Sequence, residues 1–115
     1  MVNIGSIDGL LVSPVLDATS YAVAKSGLHQ MTRALASRLV KNNISANAIV
    51  PGTFASEMLV PMLDRIEAEI LAIIPMKRVG EQDGIGKAAL FLCSHAGAYV
   101  IGVVLPVDGG VTECS

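Results

Sequence analysis

Ser20-Tyr21-Ala22-Val23-Ala24-Lys25-Ser26-Gly27 is the stretch around which this chain is organised. Tyr21 and Lys25 are four residues apart, so on a helix they stand one turn apart on one face. A positive charge beside a phenol favours the phenolate. A phenol so placed can pass a proton to or from a substrate oxygen. A bare Y-x-x-x-K also occurs on many helices as an ordinary surface pair. What flanks it decides its meaning.

The pattern turns helical at Thr19, and Thr19 or Ser20 is expected to cap the start. Ala24, Leu28, Met31, Leu35 and Leu39 recur at three- and four-residue spacing and predict one apolar stripe. Arg33, Arg38 and Lys41 lie in the C-terminal half, where the helix dipole favours cations. Asn42-Asn43 ends the helix. Upstream, residues 2–5 are short and apolar, as in a buried strand of a parallel sheet, and Ser6-Ile7-Asp8-Gly9 signals a turn. Residues 10–18, with Pro14, are too apolar for a solvated loop. They are expected to line a pocket or to lie under a neighbouring subunit. Downstream, residues 44–50 read as the next strand, stopped by Pro51-Gly52. Strand, helix, strand with short connections is a βαβ unit and implies a parallel sheet. Ligands in such sheets bind beyond the carboxyl ends of the strands. Ser6 and Pro51-Gly52 both fall there, with Tyr21 nearby.

Residues 53–74 read as helical from about Ser56, with Leu59, Met62, Leu63, Ile66, Ile70 and Ile73 on the apolar side and Pro61 splitting the run. Residues 75–80 form a loop. Residues 81–94 form another helix, with Ile85, Ala88, Ala89 and Leu92 facing in. Residues 99–107 read as a last strand interrupted by Gly102, and Asp108-Gly109-Gly110 closes it as a structural turn.

The 115 residues amount to one small domain covering 1–115. Hydrophobic residues make up 52% and charged ones 16%, with mean hydropathy +0.60, too apolar for disorder. The net charge of -2 and the lack of a basic run argue against nucleic acid. No run reaches the ~18 apolar residues of a membrane span. The first residues lack the basic and apolar segments of a signal peptide, so a cytoplasmic setting is expected. Cys93 and Cys114 make neither a disulfide framework nor a metal site. Cys93, in an apolar run, is expected in the core, and Cys114, beside the last residue, is expected to be mobile. His29 and His95 lack any ligand pattern and are expected to face solvent or sit at helix ends. Ser6, His29 and Asp17 give no hydrolase triad, and no G-x-S-x-G is present.

Several separated segments together resemble one family. They are Asn3-Ile4-Gly5-Ser6 with Gly9, then Tyr21-x-x-x-Lys25-Ser26, then Asn47-Ala48-Ile49-Val50-Pro51-Gly52. Beyond these come Pro75-Met76-Lys77-Arg78-Val79-Gly80, Phe91-Leu92-Cys93-Ser94, and Pro106-Val107-Asp108-Gly109-Gly110. In this order they resemble the C-terminal half of a short-chain dehydrogenase/reductase of the 3-oxoacyl-carrier-protein reductase type. The resemblance implies an α/β fold: a partial Rossmann-like, doubly wound parallel sheet with flanking helices.

It also implies roles. Ser6 would hydrogen-bond the substrate carbonyl or hydroxyl, and Tyr21 would be the proton donor or acceptor. Lys25 would act on Tyr21 and hold the ribose hydroxyls of NADP or NAD, with NADP the preferred reading. Pro51 and Gly52 would bring backbone close to the nicotinamide. Phe54 would contact the nicotinamide through its backbone, and Ser56 would place a hydroxyl near the carboxamide, where the family pattern has threonine; a bare serine there is equally an N-cap. The cofactor would carry the hydride, and a ketone and a secondary alcohol would be interconverted.

Ser6 and Tyr21 are 15 residues apart, slightly wider than the commonest family spacing. No T-G-x-x-x-G-x-G fingerprint is present, so the dinucleotide-binding βαβ unit of the family's N-terminal half is expected to be missing. The first strand would then be an exposed edge, and the isolated chain is expected to aggregate or to need a partner, as a homo-oligomer or beside a full-length relative. The alternative function is an inactive remnant that serves as an oligomerisation or regulatory partner of such a relative.

Overall fold

The computed structural model describes every residue except Leu16, Met58, Leu59 and Ser115, and the side chains of Met62 and Leu63 are likewise outside the description. Strand β1 spans Val2–Ile4, helix α1 Thr19–Leu39, and strand β2 Asn47–Pro51. Helix α2 spans Val60–Ile73, helix α3 Asp83–Cys93, and strand β3 Val104–Val107. Among the described residues the strands form one sheet in the order β1-β2-β3. Both pairings are parallel: Val2 faces Asn47, and Pro51 faces Val107.

The central strand explains the core. Ala48, Ile49 and Val50 are fully buried, as expected of a strand covered on both faces. Asn47 is buried as well, because its side chain is satisfied. Its amide donates to the Val100 carbonyl at 3.0 Å, and its carbonyl accepts from the Val103 N–H at 3.0 Å. This pairing aligns the approach to β3. Pro106 is tolerated because β3 lies at a margin of the sheet. A second cluster joins Ile70 and Ile74, at the C-terminal end of α2, to Val111, with Ile7, Leu11, Ile66 and Ile73 packed around it.

Several expectations need correction. The buried residues of α1 are His29, Thr32 and Ala36, not the proposed leucine–methionine stripe; Met31 is 48% exposed. The buried line is the face that carries Tyr21 and Lys25, continued by four- and three-residue steps. Polar groups occupy it because each finds a partner or a fitted notch. Thr32 Oγ1 donates to the Leu28 carbonyl and accepts from Asn3. The N-cap of α1 is Ala18, without a side-chain capping bond, whereas the Thr19 hydroxyl turns to Asp17. Pro61 sits in the first turn of α2, where its missing N–H is harmless, so it starts the helix rather than splitting it. Cys93 is exposed, because it falls on the outer face of α3 opposite buried Leu92. Tyr99 is fully exposed and precedes β3. Leu59, Met62 and Leu63, expected on the apolar side of α2, lie outside what is described, in position or in side chain.

Candidate active site

β1 and β2 are neighbours and run the same way, so their carboxyl ends lie side by side. Ser6 follows β1, and Pro51 and Gly52 end β2. A cavity of about 380 Å³ opens there. Its lining includes Ser6, Tyr21, Pro51, Gly52, Phe54 and Ser56. Six of the seven residues singled out from sequence therefore face one space. The far wall is apolar, built from Ile66, Ile70 and Ile73 of α2.

Lys25 is the seventh. Its ammonium lies 5.5 Å from the centre of the Tyr21 ring and donates to the Ile4 carbonyl at 2.9 Å. An ammonium has three donors, so two remain for other partners. The helix thus sets the Tyr–Lys pair, and the lysine also ties the helix to β1.

Ser6 is 7% exposed and caps a short 3-10 turn, Ile7–Gly9. Its hydroxyl accepts from the Asp8 N–H at 3.2 Å and donates to the Asp8 carboxylate at 3.1 Å. Gly52 is required by packing: a Cβ there would lie 2.7 Å from the Asp108 Cβ. The Asp108 carboxylate in turn accepts from the N–H groups of Gly110 and Thr112 and from the Thr112 hydroxyl, which closes the last turn. Phe54 forms a parallel bridge with Gly80 and lays its ring over that glycine. The segment after β2 is thereby anchored to the loop before α3.

Sequence reasoning missed His29. It is 2% exposed, not solvent-facing. The spacing puts Tyr21, Lys25 and His29 at four-residue steps on one helix face, but gives no sign that His29 is buried. Burial pushes its pKa down, and the Arg33 charge acts the same way. His95 is exposed, as expected. A second cavity, about 750 Å³, is lined by residues 10–15, 17 and 18 and the start of α1, so the described part of that apolar connection does line a pocket. Among the described residues no cluster of His, Cys, Asp or Glu could hold a metal, and no helix is long and apolar enough to cross a membrane.

Residues 1–112 match the family model described as Enoyl-(Acyl carrier protein) reductase. The chain belongs to the short-chain dehydrogenase/reductase family. Among relatives in this family, it is 44% identical over 114 residues to galactitol 2-dehydrogenase (L-tagatose-forming) of Cereibacter sphaeroides, covering 97% of this chain and 45% of the relative. It is 41% identical over 111 residues to the 3-oxoacyl-(acyl-carrier-protein) reductase of Chlamydia trachomatis, covering 96% and 44%. A solved short-chain relative, a D-mannonate oxidoreductase of Haemophilus influenza with bound NAD, superposes with a TM-score of 0.89 at 34% identity, covering 99% of this chain and 43% of that one. The chain spans a little under half the length of these relatives. Its parallel sheet with flanking helices is the Rossmann-like α/β arrangement of the short-chain family.

Proposed function

We propose that this chain forms the part of an NAD(P)-dependent oxidoreductase that handles the substrate, interconverting a ketone and a secondary alcohol. The observation that carries this reading is the shared cavity, which Ser6 and Tyr21 enter from one side and Pro51 and Gly52 from the next strand. Its residues fit the nicotinamide end of a dinucleotide. Two Lys25 donors remain for ribose hydroxyls, and the Pro51–Gly52 backbone and Ser56 line the space beside them. When bound, the cofactor supplies or accepts the hydride. In the reducing direction Tyr21 donates its phenolic proton to the substrate oxygen, and in the oxidising direction it takes that proton back. Lys25, beside the ring, stabilises the negative charge left on the phenol. Ser6 holds the substrate oxygen through its hydroxyl. The relatives' names cover galactitol, a 3-oxoacyl-(acyl-carrier-protein) and a D-mannonate, so the proposal stops at the class of ketone or secondary alcohol.

The test is to titrate the purified chain with NADPH and with NADH, following nucleotide fluorescence, and then to add a panel of ketones. Saturable binding and loss of reduced nucleotide support the reading. Tyr21→Phe should cut turnover about 10²-fold or more while the nucleotide still binds. Unchanged turnover in that variant would remove Tyr21 from the chemistry.

A further inference from the structure

Helix α1 grips the segment that carries Ser6 at three points. Lys25 Nζ donates to the Ile4 carbonyl at 2.9 Å, and the Ser26 hydroxyl donates to the Gly9 carbonyl at 2.8 Å. One turn further on, the Ser6 peptide N–H donates to His29 Nε2 at 3.4 Å, in a buried setting. The imidazole sits in a notch made by two glycines. A Cβ on Gly5 would lie 2.1 Å from His29 Nε2, and a Cβ on Gly9 would lie 2.7 Å from His29 Cε1. These glycines bracket Ser6, so the ring touches the serine turn on both sides.

The state of the ring follows. Nε2 accepts, so the single proton of a neutral imidazole belongs on Nδ1. Nδ1 is buried and closes no hydrogen bond among the described residues, and the Gly9 backbone beside the ring only partly offsets the lowering of its pKa by burial. The charged groups acting on the ring are Arg33 and Lys25 of its own helix, which both oppose a second proton; the Asp8 carboxylate of the serine turn is engaged with the Ser6 hydroxyl. Gly5, just after β1, meets the ring with backbone alone, and the Val50 side chain of β2 would lie 3.3 Å from the Cβ that Gly5 lacks.

We propose that His29 is the positioning residue of Ser6: its neutral ring, carrying the proton on Nδ1, accepts the Ser6 N–H and sets the distance of the serine hydroxyl from Tyr21. Its bearing on catalysis rests on the reading that Ser6 and Tyr21 act together, but the contact itself is measurable without turnover. In ¹⁵N-labelled chain, two-bond ¹H–¹⁵N spectra should show His29 Nε2 unprotonated at neutral pH. Hydrogen exchange at the Ser6 amide should quicken about five- to tenfold in His29→Leu, as one hydrogen bond is lost. It should return to near the starting rate in His29→Gln, whose side-chain carbonyl restores an acceptor. The Gly5 amide, bonded to the Ile49 carbonyl at 2.7 Å, is the internal control. A proton on Nε2, or equal Ser6 exchange in the two variants, overturns the proposal. If His29→Leu does not fold, the ring spectrum of the unmodified chain and Ser6 exchange in His29→Gln decide it. Failure of the hydride-transfer reading would appear separately, as absent nucleotide binding with the Ser6 response intact.

Discussion

The two walls of the 380 Å³ cavity are built on different principles. The serine–tyrosine wall is a set of polar and backbone contacts between β1, the 3-10 turn and α1. Lys25, Ser26 and His29 each bond the backbone of residues 4–9. The opposite wall is a row of isoleucines on α2, resting on Val111 and Ile7 through apolar contact. Directional bonds fix positions to a fraction of an ångström, whereas apolar contact asks only for volume. The wall assigned to proton transfer is therefore the one that cannot be rearranged, and the wall that would meet the rest of a substrate is the one that can.

The sharpest way to break this contrast is to add one methyl group to the polar wall. A Cβ on Gly9 would lie 2.8 Å from the Lys25 carbonyl carbon and 2.8 Å from the Ser26 nitrogen, both backbone atoms of α1. Neither can move without the helix. Gly9→Ala should cost about 3 kcal/mol or more, read as a lower urea midpoint at unchanged slope. A midpoint within error of the parent would mean that the turn is not held as described.

Gly5→Ala should cost somewhat less, about 1–3 kcal/mol, because its obstacle is a side chain, the His29 ring. Combining it with His29→Ala removes the obstacle. The double variant should therefore be more stable than the sum of the single losses predicts, a coupling of about 1 kcal/mol or more in a double-mutant cycle. Additive losses would show that the ring does not fill this notch.

The same contrast explains what could be read from the chain. Strands, helices and their parallel order were legible, because Pro51-Gly52, Asn42-Asn43 and the change of hydrophobic period are local signals. The Tyr21–Lys25 pair was legible because four-residue spacing is local too. The burial of His29 was not, because it depends on two missing side chains, Gly5 and Gly9, some twenty residues away. The burial of Thr32 was hidden for a related reason: one of its two partners, Asn3, lies in another element. Cys93 looked like core because its run is apolar throughout, and only packing decides which face of α3 turns outward.

On the apolar wall a change of similar size should matter less. Ile73 is half-buried and lines the cavity. Ile73→Val should cost about 0.5–1.5 kcal/mol. Where turnover is seen, it should shift KM between bulky and small ketones and leave kcat nearly constant, since the proton-transfer groups are untouched. A large fall in kcat would mean that the two walls are not independent.

The smallest effect, and the most specific to the polar wall, is its response to acid. Burial, first, and the Arg33 charge, second, hold the His29 imidazole below its ordinary value of 6.5. The unfolded chain takes up this proton near the ordinary value, and the folded chain does so only at lower pH. Between those two points the unfolded state binds more protons, so stability rises with pH there. The contribution of the neutral ring is complete above the ordinary value, is lost as pH falls toward the folded one, and levels off below it. Its slope is at most about 1.4 kcal/mol per pH unit. Urea midpoints of the parent and of His29→Gln, compared between about pH 5 and pH 8, isolate this contribution, because His95 is common to both proteins and cancels. The parent should lose stability relative to the glutamine variant as the solution is acidified. A flat difference would mean that the ring is not penalised for its charge in the notch, and a difference of opposite sign would mean that it is held there protonated, with no lone pair to offer Ser6.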